Sequence, residues 1–377
     1  MIYFDNAATT MRKPDCVIDA VADAMRNFGN SGRGAHEASL DASRMIYETR
    51  ERISELFNLG NPLQVAFTSN STESLNMAIQ GLFSKGDHVI TTVLEHNSVL
   101  RPLYLMENRG VSLTILPCDE KGVLCYDQLE ESIRPETKAV VCTHASNLTG
   151  NRMDLERVGE LCHRHGIRLV ADASQTAGVL PIDMKRMHID VLCFTGHKSL
   201  LGPQGIGALL LDADFARRLT PLVAGGTGSA SDSEELPDWM PDRFESGTPN
   251  MPGVYGWEAA LGWLENTGIE TLENHEKTLS KRFLEGIYGL KNVKLYGATV
   301  PEGRTGVFSV GFLNCDNAEA AWRLEREFGI LTRCGLHCAP SAHKTLGSFP
   351  EGSVRFSTGW ANTEADIDAA LSAIAAI

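Results

Sequence analysis

The feature that most constrains the fold is an alternation of short apolar runs with helical patterns over the first two thirds of the chain. Helical patterns at 75–83, 127–133 and 155–165 lie between several of these runs. Strands separated by helices usually pair in parallel, because the helix carries the chain back along the sheet. The sequence therefore predicts an α/β fold with a mainly parallel seven-stranded sheet covered on both faces. The predicted strands are 64–68, 88–92, 112–116, 139–143, 168–171, 191–195 and 206–211.

The last third of the chain has a different pattern of predicted elements. Residues 224–235 are rich in Gly, Ser and Asp and predict a loop. A mixture of helices and strands follows, which predicts a smaller α+β domain. We expect residues 14–250 to form the large domain, and residues 1–13 with 251–377 to form the small one. The predicted elements after the loop are helices at 257–266, 274–288 and 318–328, strands near 293–296 and 306–312, and a helix from 363.

The acidic composition excludes some classes of partner. The 34 Lys and Arg against 48 Asp and Glu give a formal net charge of −14, which disfavours nucleic acid and anionic membrane surfaces. No stretch approaches the roughly 18 apolar residues of a membrane span, and we expect no signal peptide. The 9 cysteines are scattered, several of them in apolar runs, which is typical of reduced buried thiols. We expect a soluble cytoplasmic protein.

Candidate functional residues follow the predicted strands, because ligands of open α/β sheets bind beyond the carboxyl ends of strands. The hydroxyl-rich segment after 64–68 predicts a helix N-terminus, which is either simply capped or binds a phosphate. Asp172 ends an apolar run, where a carboxylate is costly unless a positive charge pairs with it. A protonated pyridine nitrogen is such a charge.

Lys198 follows the run 191–195 and precedes a glycine-rich turn. Lysine is seldom buried, and desolvation lowers its pKa, so that the amine becomes a nucleophile able to form a Schiff base. The alternative is a lysine that points to solvent. The turn does not match the GxGxxG pattern, and the sequence has no Walker A or HExxH motif.

A series of short segments, in order along nearly the whole chain, resembles the class V aminotransferase family. The resemblance is greatest to its cysteine desulfurase and selenocysteine lyase branch. The segments around Lys198 and Cys338 are the most specific. The segments are Asp5-Asn-Ala-Ala-Thr, Thr72-Glu73, Glu95-His96, Ser146-Asn147, Asp172-x-x-Gln175, Gly196-His197-Lys198, Arg243-Phe244-Glu245-x-Gly247-Thr248 and Arg333-x-Gly335-x-His337-Cys338-Ala339.

This resemblance implies a fold of type I with pyridoxal 5′-phosphate (PLP) held covalently by Lys198. It implies that Asp172 pairs with the pyridine nitrogen, His96 stacks on the ring and Gln175 binds the phenolic oxygen. Thr248 reaches the phosphate bound in the other subunit, which implies a homodimer with shared active sites. The implied cofactor-binding residues are Ser71, Thr72, His96, Asn147, Asp172, Gln175, Thr195, His197, Lys198 and Thr248; among these, Ser71, Thr72, Thr195 and His197 hold the phosphate.

The resemblance also implies the substrate-binding and catalytic residues. Arg355 clamps the substrate carboxylate, which suits a planar guanidinium, with Arg333 and Asn147 in the same region. The implied catalytic residues are Lys198, His96 and Cys338. The Cys338 thiolate takes the sulfur of L-cysteine as a persulfide and leaves L-alanine. The segment after Cys338 is short, as in the group whose members pass sulfur to an acceptor protein.

Several interpretations of Cys338 are open. Arg333 and His337 are candidates to lower the pKa of its thiol. A metal site with Cys334, His337 and His343 is an alternative, but the spacing matches no structural zinc pattern and we expect no metal. Two further alternatives remain open. Cys334 and Cys338 could form a redox pair, or both could be inert thiols of an aminotransferase.

Two residues depart from the family pattern. Cys334 stands where the family usually has Thr, and Leu336 stands where desulfurases often have His. L-selenocysteine is an alternative substrate, because selenolate leaves more readily than thiolate. A scaffold protein without cofactor is disfavoured by the presence of Lys198, Asp172 and His96 together.

Overall fold

The structure, a computed structural model, describes residues 1–27, 29, 36–211 and 213–377. Its strands are β1 (Ile2–Tyr3), β2 (Val65–Thr68), β3 (His88–Thr92), β4 (Ser112–Leu116), β5 (Thr137–Thr143), β6 (Arg168–Asp172), β7 (Val191–Thr195), β8 (Gly207–Leu211), β9 (Val293–Tyr296), β10 (Val307–Phe312), β11 (Ile330–Leu331), β12 (Arg333–Gly335) and β13 (Ser353–Ser357). Its α-helices are α1 (Asp15–Asn27), α2 (Glu37–Leu56), α3 (Ser71–Leu82), α4 (Asn97–Glu107), α5 (Tyr126–Glu131), α6 (Leu155–His165), α7 (Ala213–Ala216), α8 (Met251–Thr267), α9 (Ile269–Ile287), α10 (Asn317–Phe328), α11 (Pro340–Leu346) and α12 (Glu364–Ala376).

The large sheet has seven strands in the order β2-β8-β7-β6-β5-β3-β4. β8 is antiparallel to both of its neighbours, and the other pairs are parallel. Successive side chains of β7 enter different cores: Leu192 and Phe194 pack on one face, Val191 and Cys193 on the other. Two buried faces require continuous apolar strands, which is why the sequence pattern is so clear. The predicted mainly parallel seven-stranded α/β sheet is confirmed.

A second, antiparallel sheet has the order β12-β13-β10-β9. Its core contains Phe283, Phe308, Phe356 and Ile367, from two strands and from helices α9 and α12. The N-terminal strand β1 pairs with β11, and Asp5 forms a bridge to Ser357 of β13. The first residues of the chain therefore lie with the C-terminal α+β region.

Helix α8 packs with the large sheet. Its Trp257, Ala260 and Leu261 belong to the same core as Phe194 of β7, and the helix lies against α1 and α2. The division of the chain at residue 250 stays a prediction, and this packing favours a boundary after α8.

The sequence patterns identified no helix at α1, α2, α4, α7 or α11 and no strand at β1, β11, β12 or β13. Helix α4 contains Pro102, a residue that normally interrupts a helix. Strands of two and three residues show no detectable period. Residues 224–235, predicted as a loop, contain neither helix nor strand.

All nine cysteines are free thiols, and Cys142, Cys162 and Cys193 are the buried ones. The expectation of buried thiols therefore holds for these three and not for the others. Within the described ranges, no helix combines the length and the apolar character that a membrane crossing requires.

Candidate active site

The carboxyl ends of β2, β3, β5, β6 and β7 face one cavity of about 200 Å³ between the two sheets. The cavity also receives residues of β12, β13 and the loop before α11. Of the predicted site residues, Thr248 alone does not line it. The predicted residues in its wall are Ser71, Thr72, His96, Asn147, Asp172, Gln175, Thr195, His197, Lys198, Arg333, Cys338 and Arg355.

Thr248 is exposed and lies in the wall of a separate groove of about 900 Å³. Arg50, Phe67 and Glu73 line the same groove. Within one chain, Thr248 therefore does not meet the other predicted cofactor-binding residues.

Lys198 is partly buried at the turn after β7. Burial lowers the pKa of its amine to about 8, and the nearby Asp172 carboxylate only partly opposes that shift. The turn needs glycine at position 196, because a Cβ there would lie 2.9 Å from Cγ2 of Ile206 and 3.0 Å from Cε2 of Trp257. With this pKa about a tenth of the amine is neutral at pH 7, far more than for an ordinary lysine, and the neutral amine is the nucleophile.

Asp172 ends β6 and is 3 % exposed. Its Oδ1 accepts hydrogen bonds from the backbone N–H (2.9 Å) and the hydroxyl of Ser174, and from Ser71 Oγ at 3.4 Å. No lysine or arginine of the described residues forms an ion pair with it. A buried carboxylate of this kind is suited to a cationic group supplied by a ligand.

Two histidines beside Lys198 are neutral. Burial, with the Lys198 charge as a second cause, lowers the pKa of His96 and of His197 to about 4. His96 Nδ1 accepts a hydrogen bond from the Ser98 backbone N–H at 3.0 Å, so the proton lies on Nε2. His197 Nδ1 lies 3.0 Å from the Thr9 hydroxyl.

Hydroxyl groups and a helix N-terminus form one end of the cavity. Ser71 and Thr72 begin α3, and Asn70 caps the helix by accepting the Glu73 N–H at 3.0 Å. Thr195 ends β7 on the neighbouring side. Free N–H groups at a helix start together with hydroxyl donors are a favourable environment for a phosphate.

Arg355 also lines the cavity and is 2 % exposed. Its Nη2 donates to Asp5 Oδ1 at 2.8 Å and its Nη1 to the Asn147 carbonyl at 3.1 Å. The buried Nε has no hydrogen-bond partner, and neither has Oδ1 of Asn147. Antiparallel pairing of β12 and β13 places Arg333 directly across from Arg355.

Cys338 is exposed on the loop before α11. His337 and Cys338 have φ of 47° and 57°, in the left-handed region that non-glycine residues rarely adopt. The carbonyl of Cys338 accepts the Asn97 N–H (2.8 Å), and the carbonyl of His337 accepts Asn147 Nδ2 (2.7 Å). Strain of this type persists where surrounding bonds enforce it, and it clusters at functional sites.

The expectation that His337 lowers the pKa of the Cys338 thiol is corrected by its environment. Burial lowers the pKa of His337 to about 2, so the ring carries no positive charge. Its Nε2 lies 3.1 Å from the Ser353 carbonyl and is the donor there. Of the two candidates, Arg333 is the one that carries a positive charge in the cavity wall.

The metal-site alternative receives no support from side-chain placement, and the two cysteines differ in position. Across the described ranges, no group of three or more His, Cys, Asp or Glu side chains could hold a metal ion. Cys334 is a free exposed thiol outside the cavity wall, whereas Cys338 lines it.

Three residues that the sequence reasoning did not single out help to build the site. Ser174 donates to Asp172, Ser98 orients His96, and Asn97 anchors the Cys338 carbonyl. The two serines follow their partners by two residues, a spacing typical of local side-chain caps. That spacing is the signal that would have identified them.

Nearly the whole chain matches one protein family. The family model for aminotransferase class-V covers residues 2–370, and the chain belongs to the class V aminotransferase family. Membership of this family agrees with the resemblance noted in the sequence and with the PLP-dependent fold type I that the resemblance implies.

Relatives within the family have a common name. A probable cysteine desulfurase of Pyrococcus abyssi is 35% identical, over 92% of this chain and 87% of the relative. One from Methanothermobacter thermautotrophicus is 32% identical, over 97% and 92%. The apo structure of a cysteine desulfurase from Thermococcus onnurineus NA1 superposes with a TM-score of 0.93 at 32% identity, covering 100% of this chain and 94% of that chain.

Proposed function

We propose that this protein is a PLP-dependent cysteine desulfurase that converts L-cysteine to L-alanine and retains the sulfur as a persulfide on Cys338. The observation that carries the proposal is that Lys198, Asp172 and Cys338 line the same cavity. The names of the relatives point to the same activity.

The residues of the cavity fit PLP. Asp172 offers a buried carboxylate for the pyridine nitrogen, and the start of α3 offers N–H and hydroxyl donors for the phosphate. The pKa of Lys198, lowered to about 8, suits attack on an aldehyde. When bound, PLP withdraws electrons from the substrate Cα, which makes its proton labile. Gln175 and His96 are in the wall beside this position.

Each protein group then has a defined task. Lys198 would hold the cofactor and, as a general base, would take the proton from the substrate Cα. The orphaned Nε of Arg355 is a donor for the substrate carboxylate. The Cys338 thiolate attacks the substrate sulfur, an S–S bond forms and the Cβ–S bond breaks. The electron pair of that bond stays with the carbon skeleton, which takes up one proton at Cβ, regains the Cα proton from Lys198 and leaves as L-alanine.

We also propose that the enzyme is a homodimer in which Thr248 completes the partner's cofactor site. Thr248 is exposed and lies away from its own cavity, which supports a role toward a second copy. Light scattering combined with cofactor content checks this, since a fully active monomer would contradict it. The exposure of Cys338 supports transfer of its sulfur to an acceptor protein, and a cytoplasmic location stays a prediction.

Mass spectrometry after brief exposure to L-cysteine tests the sulfur assignment. Peptide mapping should place one added sulfur atom on Cys338. Cys338→Ser should keep the cofactor absorbance but take up no sulfur, whereas Cys334→Ser, the matched control, should keep most of the activity. Added sulfur on Cys334, or full sulfur release by Cys338→Ser, would refute the assignment.

The same variants separate the substrates. Cys338→Ser retaining turnover of L-selenocysteine, without turnover of L-cysteine, would favour the lyase alternative, because the weaker C–Se bond breaks without thiolate attack. Transamination of L-alanine by an otherwise inactive protein would favour the aminotransferase.

A further inference from the structure

The guanidinium of Arg355 is held on two sides before any ligand binds. Nη2 donates to Asp5 Oδ1 (2.8 Å) and Nη1 donates to the Asn147 carbonyl (3.1 Å). Both acceptors lie on other segments of the chain, so the plane of the guanidinium is set. The Nε edge is left buried and without a partner.

Asp5 itself is firmly placed. Its backbone carbonyl accepts hydrogen bonds from the Tyr3 hydroxyl (3.1 Å) and the Ala8 N–H (3.1 Å). Its backbone bridges Ser357, two residues after Arg355 on β13. The neighbouring Ala7 N–H donates to Ser357 Oγ at 2.9 Å. The carboxylate of Asp5 is therefore presented to Arg355 from an anchored segment.

The charges around Arg355 show why its ion pair with Asp5 matters. Arg333 stands across from Arg355 on the paired strand, so two like charges lie side by side. In the described chain, Asp5 is the carboxylate that forms an ion pair with Arg355. Without it, a cation that is 2 % exposed would keep its carbonyl contact to Asn147 but have no counter-ion in contact.

We propose that Asp5 is a positioning residue that sets the orientation of Arg355 and thereby the selectivity of the site for ligands with a carboxylate. Asp5 is absent from the wall of the cavity, so it acts through Arg355. This inference rests on the proposed function in one respect, namely that Arg355 binds the substrate carboxylate.

A matched pair of amines tests the inference without turnover. L-alanine and ethylamine differ by the carboxylate, and binding of either to the holoenzyme changes the visible absorbance of the cofactor. Asp5→Ala should bind L-alanine about tenfold more weakly or worse, as expected for one lost charge-assisted hydrogen bond. Its affinity for ethylamine should stay the same.

Two further variants serve as references. Asp5→Asn keeps an oxygen acceptor at the same position but removes the counter-charge, so its L-alanine affinity should lie between those of wild type and Asp5→Ala. Asp15→Ala, at an exposed position at the start of α1, should bind both amines as wild type does.

Other outcomes overturn the inference. Equal weakening of both amines in Asp5→Ala indicates a general structural role, and tighter L-alanine binding indicates that Asp5 competes with the ligand. Failure of the proposed function is recognised separately. Arg355→Ala should lose L-alanine affinity selectively, and if it does not, the clamp is elsewhere. If it does but no sulfur is released from L-cysteine, the desulfurase proposal fails while the role of Asp5 stands.

Discussion

The two reactive ends of the cavity are built in different ways. Lys198 and Asp172 lie at the ends of neighbouring strands inside a seven-stranded sheet with apolar cores on both faces. Cys338 is exposed on a loop with two consecutive left-handed residues. The first end is fixed by packing, and the second by a few hydrogen bonds.

This difference indicates a division of labour. A nucleophilic lysine needs a desolvated and rigid environment, because burial is what lowers its pKa. A thiol that receives sulfur and passes it on must be reached from outside, so it cannot be buried in the same way. Changes at the sheet edge should therefore affect the cofactor, and changes at the loop should affect sulfur transfer alone.

The largest effect is expected from Lys198→Ala. The variant should lose the absorbance of the covalently held cofactor and lose activity by about 10²–10⁴-fold or more, as expected for loss of a general base and anchor. Lys13 is a stringent control, since burial lowers its pKa to about 8 as well and its Nζ donates to the His197 carbonyl at 2.7 Å.

Lys13→Ala should keep the visible absorbance band of the cofactor. Circular dichroism shows whether each variant is folded. A folded Lys198→Ala protein with an unchanged visible spectrum would place the covalent link elsewhere.

A smaller and more selective effect is expected at the loop. His337→Asn keeps a residue type that tolerates the left-handed backbone, but the shorter side chain loses the hydrogen bond to the Ser353 carbonyl. Loading of sulfur on Cys338 should slow by about tenfold at most, the loss expected for one hydrogen bond. The cofactor absorbance should not change.

His188 provides the matched control, because its φ of 48° is nearly that of His337 and it lies outside the cavity wall. His188→Asn should load sulfur at the wild-type rate. If His337→Asn instead lost the cofactor, the separation between the two ends of the site would be wrong.

The sequence predicted the sheet edge better than the loop, and the reason is physical. The strands inside the sheet were recognisable because both of their faces are buried, whereas the edge strand β4 is only partly buried. Parallel strands bring their carboxyl ends to one edge. Lys198, Asp172 and His96 could be assigned to one site from that rule and from the family resemblance. The need for glycine at position 196 follows from packing that only the structure shows.

The loop that carries Cys338 and the Arg355 side chain, which line the same cavity, depend on contacts between residues far apart in the chain. Asp5 and Arg355 are separated by 350 positions, and no local pattern predicts their ion pair. Burial keeps His337 neutral, so it does not supply the positive charge that made it a candidate to lower the pKa of the Cys338 thiol. Helix α4 was missed because Pro102 lies within it.

The smallest effect concerns the pH dependence of cofactor uptake by cofactor-free protein. The neutral amine of Lys198 is the reactive form, and its pKa is lowered to about 8. Below this pH the rate constant of uptake should rise about tenfold per pH unit, and above it the rate should level off. The Asp172 charge raises the pKa of Lys198, so Asp172→Asn should shift the midpoint downward, while uptake becomes slower overall because the partner of the pyridine nitrogen is lost. Stopped-flow absorbance measures the rate, and the reaction of PLP with an acetylated lysine in the same buffers corrects for titration of the cofactor. A midpoint near 10.5 in wild type, the ordinary value for lysine, would mean that the sheet edge does not desolvate Lys198 and that the contrast between the two ends of the site is smaller than the structure indicates.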